Sequence, residues 1–233
     1  MSMFTDDSYK AITYTYGDYS VTLQALETTA TDYDLTGQVV WQAADIFAKF
    51  MLEGDTGKDL FQGRKVLEVG SGPGLGGFIV SKWASMVILS DYQDVVLDLM
   101  ESNIAKYNHN AATCDMYACK IDWNEMREEG RYGSVELLAE DGTVAGTLSD
   151  QQLDAVIGTD VIYWRDQIEP LINTLGVISN KNPGIKIYIC YVERHTNTHN
   201  ELKAVLARHN FTLTEFGQET TKPINEHSYM YLI

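Results

Sequence analysis

The sequence predicts an α/β fold: a seven-stranded, mostly parallel sheet with one antiparallel strand and helices on both faces. Three observations carry this reading. From residue 64 onward, short apolar runs rich in β-branched residues alternate with amphipathic stretches, the pattern of a parallel sheet covered on both sides. A glycine-rich turn follows the first of these runs directly. The alternation breaks at the end, where two strand-like runs are separated only by a loop, which places one antiparallel strand at or near a sheet edge.

Taken in order, the first 35 residues are rich in Thr and Tyr and alternate in polarity. They predict a β-hairpin extension over 1–35, turning at Gly17-Asp18, ahead of a main domain over 36–233. Over 38–53, Val40, Ala44, Phe47 and Met51 share one helical face, and Gly54 and Gly57 end that helix. Strands are expected at 65–69, 86–91, 116–123, within 153–164, and at 185–192. Between them lie helices beginning at GLGGFIVSKWA and spanning 94–108 and 168–179, with a further one at NELKAVLARHN. FTLTEFG and HSYMYLI read as the closing strands. The stretch 127–152 interrupts the pattern. It carries Glu128, Glu129, Glu136, Glu140, Asp141 and Asp150 against Arg127 and Arg131, and is expected to be an exposed, solvated insertion.

The 233 residues suit one large domain, and 45% hydrophobic content supplies a core. No apolar run approaches the roughly 20 residues that span a bilayer, and the acidic start MSMFTDDSYK is unlike a secretory signal. Cys114, Cys119 and Cys190 are odd in number and form no CxxC, so reduced thiols are expected, in a cytoplasmic protein with the nucleus left open. A net charge of −16 repels phosphate backbones and argues against nucleic acid as a partner. The same charge attracts a basic, lysine-bearing protein surface. A monomer is expected. His195 and His199 have i, i+4 spacing but no HExxH context, so no metal site is expected and both read as solvated residues near a helix start.

The strongest local signal runs from Glu68 to Gly77, after a strand and opening a helix. Glycine allows positive φ and close backbone approach, and a helix N-terminus offers free N–H groups. Gly72 to Gly77 fits GxGxxG, so a nicotinamide or flavin site is one reading. Glu68 favours another: an acid there would repel a pyrophosphate and suit the ammonium and sulfonium of S-adenosylmethionine. Asp91 ends the second strand, 21 residues after Gly70, where a carboxylate can accept both ribose hydroxyls of any adenosine cofactor. Asp122-Trp123 closes the third strand and could meet an adenine amine and ring.

Together these residues resemble the seven-strand, S-adenosylmethionine-dependent protein lysine methyltransferases with a D-x-x-Y motif, which have a Rossmann-like domain. Thr36 to Trp41 resembles their G-x-x-x-W element, Glu68 to Gly76 their E-x-G-x-G-x-G motif, and Asp122-Trp123 their D-W pair. Asp160 to Tyr163 resembles the D-x-x-Y after the fourth strand, and Cys190 to Arg194 the segment after the fifth. The acidic insertion is longer than that family's pattern. The resemblance implies S-adenosylmethionine as cofactor and a protein acceptor, above all lysine on a non-histone protein. Histidine, arginine and small-molecule acceptors stay open, as does a nicotinamide-dependent oxidoreductase. It places Trp41 near the methionine end, Glu68, Gly70 and Gly72 on the amino-acid portion, Asp91 on ribose and Trp123 in the adenine pocket. Ser71, Gly74, Tyr92, Asp122 and Thr159 complete that set. Asp160 and Tyr163 would shape the acceptor entrance. A lysine amine, with a pKa of about 10.4, arrives protonated. Asp160 is therefore expected to capture the ammonium inside a collar formed by Tyr163 and Trp164.

Overall fold

A computed structural model describes residues 9–27, 33–108, 114–128, 130–212, 214–215 and 228–233. Residues 1–8, 28–32, 109–113, 129, 213 and 216–227, among them His109, Glu129 and His227, lie outside them.

Strands β1 (Lys10–Tyr16) and β2 (Tyr19–Ala25) form the expected hairpin around Gly17-Asp18. Alternate residues Val21, Leu23 and Ala25 of β2 are buried, and Val21 and Leu23 join a core cluster with the helices beneath. Helix α1 (Gln42–Leu52) starts later than expected because Trp41 holds extended backbone as its N-cap and residues 33–38 form a 3-10 turn. A short α2 (Thr56–Phe61) follows Gly54. The alternating unit then runs β3 (Lys65–Val69), α3 (Leu75–Val80), β4 (Met86–Asp91), α4 (Asp94–Asn108) and β5 (Asp115–Lys120).

After β5 come β6 (Glu136–Leu138) and β7 (Val144–Thr147). Next are β8 (Ala155–Thr159), α5 (Arg165–Lys181), β9 (Lys186–Val192) and α6 (Thr196–Arg208), then β10 (Thr214–Glu215) and β11 (Ser228–Leu232). Among the described residues one sheet has the order β10-β11-β9-β8-β3-β4-β5-β6-β7. Seven of these strands are the expected ones, and β11 runs antiparallel to both β9 and β10, one place in from the edge.

The insertion departs from expectation. Its hairpin β6–β7 adds to the edge of β5, with Leu138 opposite Ala118 in antiparallel register, so the described sheet has nine strands and a second antiparallel one. The cause is an apolar set scattered among the acids. Tyr132, Val135, Leu137 and Leu148 are buried in the core while Glu128, Glu136, Glu140, Asp141 and Asp150 face water. Asn182 Nδ2 also donates to the Tyr132 hydroxyl at 3.0 Å.

Alternation along the parallel strands splits the core by face. Val66, Val87, Leu89 and Ile157 pack with α1, α3 and α4, whereas Leu67, Ile88, Val156 and Ile189 pack with α5 and α6. The chain steps from β3 to β4 on one side and returns to β8 on the other. The strand ends around β3 thus open a crevice where connections diverge, the usual ligand position in such sheets. No helix among the described residues is long and apolar enough to cross a membrane.

Candidate functional site

Strand β3 brings Glu68 to the α3 side of the sheet, fully buried. Its Oε2 accepts the Gly77 N–H at 2.9 Å, and Thr159 Oγ1 donates to Oε1 at 3.4 Å. A Cβ on Gly76 would lie 2.3 Å from Glu68 Oε1, so the acid is the reason that this position carries no side chain. Burial pushes the Glu68 carboxyl up to about 8, against the lowering effect of the Gly77 bond. The carboxylate is absent from the wall of the crevice. Glu68 instead ties the turn to α3 from beneath, through its bond to Gly77. Gly74 faces Leu89 and Phe78 in the core and is not on the wall of the crevice.

The crevice itself is a cavity of about 370 Å³. At its inner end the wall is Gly70, Ser71 and Gly72 after β3, Asp91 after β4, and Asp122 and Trp123 after β5. Gly72 has φ +52°, and a Cβ there would sit 3.0 Å from the Gly37 carbonyl oxygen. Ser71 Oγ donates to the Glu68 carbonyl at 3.1 Å and accepts the Ser90 N–H at 2.9 Å, locking the turn to β4. Asp91 is buried and accepts N–H bonds from Tyr92 (2.8 Å) and Gly72 (3.2 Å). Burial, opposed by those bonds, pushes its carboxyl up to about 6. Asp122 Oδ1 accepts the Asn124 N–H at 2.9 Å in an Asx turn, which presents Trp123 beside Gly70.

At the outer end stand Trp41, Tyr92, Tyr163 and Trp164, large aromatics that remain 38–44% exposed. Tyr163 and Trp164 meet edge to face at 5.8 Å. Thr159 and Asp160, both buried, also line the cavity. Asp160 adopts φ +61°, a left-handed conformation in which its N–H donates to the Cys190 carbonyl at 2.8 Å. Its carboxylate receives two bonds from Arg194, at 2.9 and 2.6 Å. The guanidinium lies 5.4 Å from the Trp41 ring centroid, and Trp41 Nε1 donates to the Thr36 carbonyl at 2.9 Å. The Asp160 carboxylate is thus already paired with a guanidinium in the cavity wall.

Sequence reasoning missed Arg194 as a wall residue, along with Val39, Gln93, Asn124, Gln167 and His195. For Arg194 the available signal was its place just past β9, since strand ends beside the switch point gather ligand-facing residues. His199 is also reassigned. It is buried, its Nδ1 bonded to the Tyr191 hydroxyl and its ring stacked on Tyr191, so it belongs to the core and not to solvent. Among the described residues no group of three His, Cys, Asp or Glu is placed to hold a metal ion.

The chain resembles known proteins along most of its length. It is 26% identical over 228 residues to the Mus musculus protein-lysine N-methyltransferase EEF2KMT, covering 92% of this chain and 62% of that protein. To the Homo sapiens protein of the same name it is 30% identical over 184 residues, covering 77% and 52%. The chain thus spans between about half and three-fifths of these relatives. In fold it is similar to the crystal structure of a putative RNA methyltransferase, PH1948 from Pyrococcus horikoshii, at 13% identity and a TM-score of 0.52, over 90% of this chain and 91% of that one. The model of the lysine methyltransferase family matches residues 20–207, and the chain belongs to that family.

Proposed function

We propose that the chain transfers a methyl group from S-adenosylmethionine to a protein side chain, above all a lysine of a non-histone protein. The observation that carries this reading is the division of one cavity into two chemically different ends. A bare glycine backbone closed by Asp91 lies at one end and an aromatic mouth around Asp160 at the other. Family membership supports methyl transfer, and the names of the relatives support lysine as acceptor. The nicotinamide reading shares the glycine spacing and Asp91, and the family match favours methyl transfer over it.

The inner end suits the cofactor. Gly70, Ser71 and Gly72 leave room for its amino-acid portion, Asp91 has carboxylate lone pairs for the ribose hydroxyls, and Asp122 and Trp123 flank an adenine. Tyr92, Thr159 and Trp41 close the remaining wall. Bound there, S-adenosylmethionine supplies an electrophilic methyl carbon on a sulfonium leaving group. The protein's task is alignment and exclusion of water. Trp41, Tyr163 and Trp164 desolvate an incoming side chain, which favours the neutral amine over the ammonium. Asp160 and Tyr163 orient it, and the displaced proton leaves to water at the mouth.

A net charge of −16 favours a basic acceptor surface over nucleic acid. The buried free thiols of Cys114, Cys119 and Cys190 favour a reducing compartment, cytoplasm before nucleus, with the chain acting as a monomer. The test is binding followed by labelling. S-adenosylhomocysteine at a hundredfold excess over its Kd should stabilise by about 2.7 kcal/mol, or roughly 5–10 °C in Tm for a chain of this size, and NADH should not. Labelled cofactor and cell lysate should then give a labelled protein whose hydrolysate contains methyl-lysine. Stabilisation by NADH and not by S-adenosylhomocysteine overturns the reading; label on histidine or arginine overturns the acceptor.

A further inference from the structure

We propose that Arg194 is a positioning residue that neutralises Asp160, so that the mouth accepts the acceptor side chain as a neutral amine and not as an ammonium. The inference rests on the amine acceptor proposed above, but its grounds are local geometry. The Asp160 side chain is 1% exposed, a negative charge fixed in the cavity wall. Left unpaired, it would hold the protonated form of any amine that entered, and an ammonium has no lone pair to give. Arg194 removes that trap. Its planar fork covers both carboxylate oxygens, it cannot be deprotonated, and the Trp41 ring supports its open face.

The other ionisable groups around Asp160 do not substitute for Arg194. From β4 come Asp91 and Tyr92 and from β5 Asp122; both acids belong to the inner end, where backbone N–H groups already engage them. Glu68 lies beneath the turn on Gly77. Tyr163 stands on the loop that carries Asp160, and His195 follows Arg194. Cys190 on β9 contacts Asp160 through its carbonyl, while burial raises its thiol's pKa. Among the described residues lining the cavity, Arg194 is the only permanent cation. The Asp160–Arg194 pair is electrically neutral and partly open at the mouth, where the guanidinium side chain is 38% exposed. An ammonium arriving there meets an aromatic collar, a spent carboxylate and a like charge. A neutral amine meets only the first two and can still hydrogen-bond.

The probe is n-butylamine, a lysine side-chain mimic, titrated into the full chain with and without S-adenosylhomocysteine from pH 7 to 9 and followed by calorimetry. In the unmodified chain, apparent affinity should rise about tenfold for each pH unit, because the neutral fraction does so below a pKa near 10.4. In Arg194→Met the ammonium should bind and the dependence should flatten; Arg194→Gln gives the same readout if Arg194→Met does not fold. Arg194→Lys should keep the tenfold slope, and the double variant Asp160→Asn/Arg194→Met should regain it. A merely structural role would weaken binding equally at every pH. A tenfold slope persisting in Arg194→Met, or a flat profile in the unmodified chain, overturns the proposal. The Tm rise with S-adenosylhomocysteine is read on the same samples. Its absence counts against the cofactor reading alone, since the amine slopes are also measured without cofactor.

Discussion

Replacing Glu68 with Gln tests the placement of the buried acid. The carboxyl rises from an ordinary 4.5 to about 8, first because of burial, with Asp91 adding a smaller push and the Gly77, Thr159 and Ser71 bonds opposing it. Below pH 4.5 the folded and unfolded chains both carry the proton, and the stability from a neutral Glu68 is present in full. Between 4.5 and 8 the unfolded chain releases the proton while the folded one keeps it, so stability falls as pH rises. Above 8 the loss is complete. The gap from 4.5 to about 8, at ~1.4 kcal/mol for each pH unit, comes to roughly 5 kcal/mol. Gln keeps an oxygen for the Gly77 N–H and removes the titration. Urea unfolding at pH 5 and pH 9 should therefore show Glu68→Gln close to the parent at pH 5 and several kcal/mol more stable at pH 9. Asp91, pushed up to about 6, adds a fall of the same sign between 3.8 and 6, which cancels when the two proteins are compared at the same pH. A stability difference that does not change with pH refutes the reasoning. A second measurement separates structure from contact. Because Glu68 is off the cavity wall, S-adenosylhomocysteine affinity at pH 6 should differ by less than about twofold; a tenfold loss would put the side chain against the ligand.

Three further outcomes follow from the same geometry. Gly72→Ala forces a side chain into φ +52° with its Cβ 3.0 Å from the Gly37 oxygen, a strain of about 1–2 kcal/mol that should lower S-adenosylhomocysteine affinity at least tenfold by calorimetry. Leu137→Ala should cost about 2–5 kcal/mol in urea unfolding, because Leu137 is buried in the insertion; a cost of a few tenths would make the hairpin an appendage. Methyl transfer at saturating cofactor should fall about a hundredfold in Asp160→Ala, which strands the Arg194 charge, and several-fold in Tyr163→Phe; unchanged turnover in both removes their proposed role.

The fold was legible where one local pattern serves one structural purpose. The runs of β3, β4, β8 and β9 are buried on both faces and therefore read as continuous apolar strands. The hairpin at Gly17 is equally local. The insertion was illegible for the opposite reason. Its charge is conspicuous and its core residues are spread out, with Tyr132, Val135, Leu137 and Leu148 each separated by polar residues. Nothing in that spacing says that β5 has an edge left to extend. His199 failed similarly: its spacing from His195 is visible, while its partner Tyr191 lies across a turn.

The site separates the same way, and the glycine motif shows why. Its spacing correctly located the turn, yet spacing cannot say on which side of the turn each residue works. Gly70 and Gly72 face the cavity, whereas Gly76 and Gly77 face Glu68 from behind. An acid followed by glycines is thus two devices in one motif: a buried carboxylate that fastens α3 to β3, and a bare backbone that lines the cavity. Charge complementarity to a sulfonium is not needed to explain Glu68, because its bond to Gly77 and its contact with Gly76 already do. The Asp160–Arg194 pair makes the complementary point. Each residue sits at the end of its own strand, 34 positions apart, and only the parallel pairing of β8 with β9 brings the guanidinium onto the carboxylate. A motif that names Asp160 alone describes a cation trap; the sheet turns it into a neutral wall.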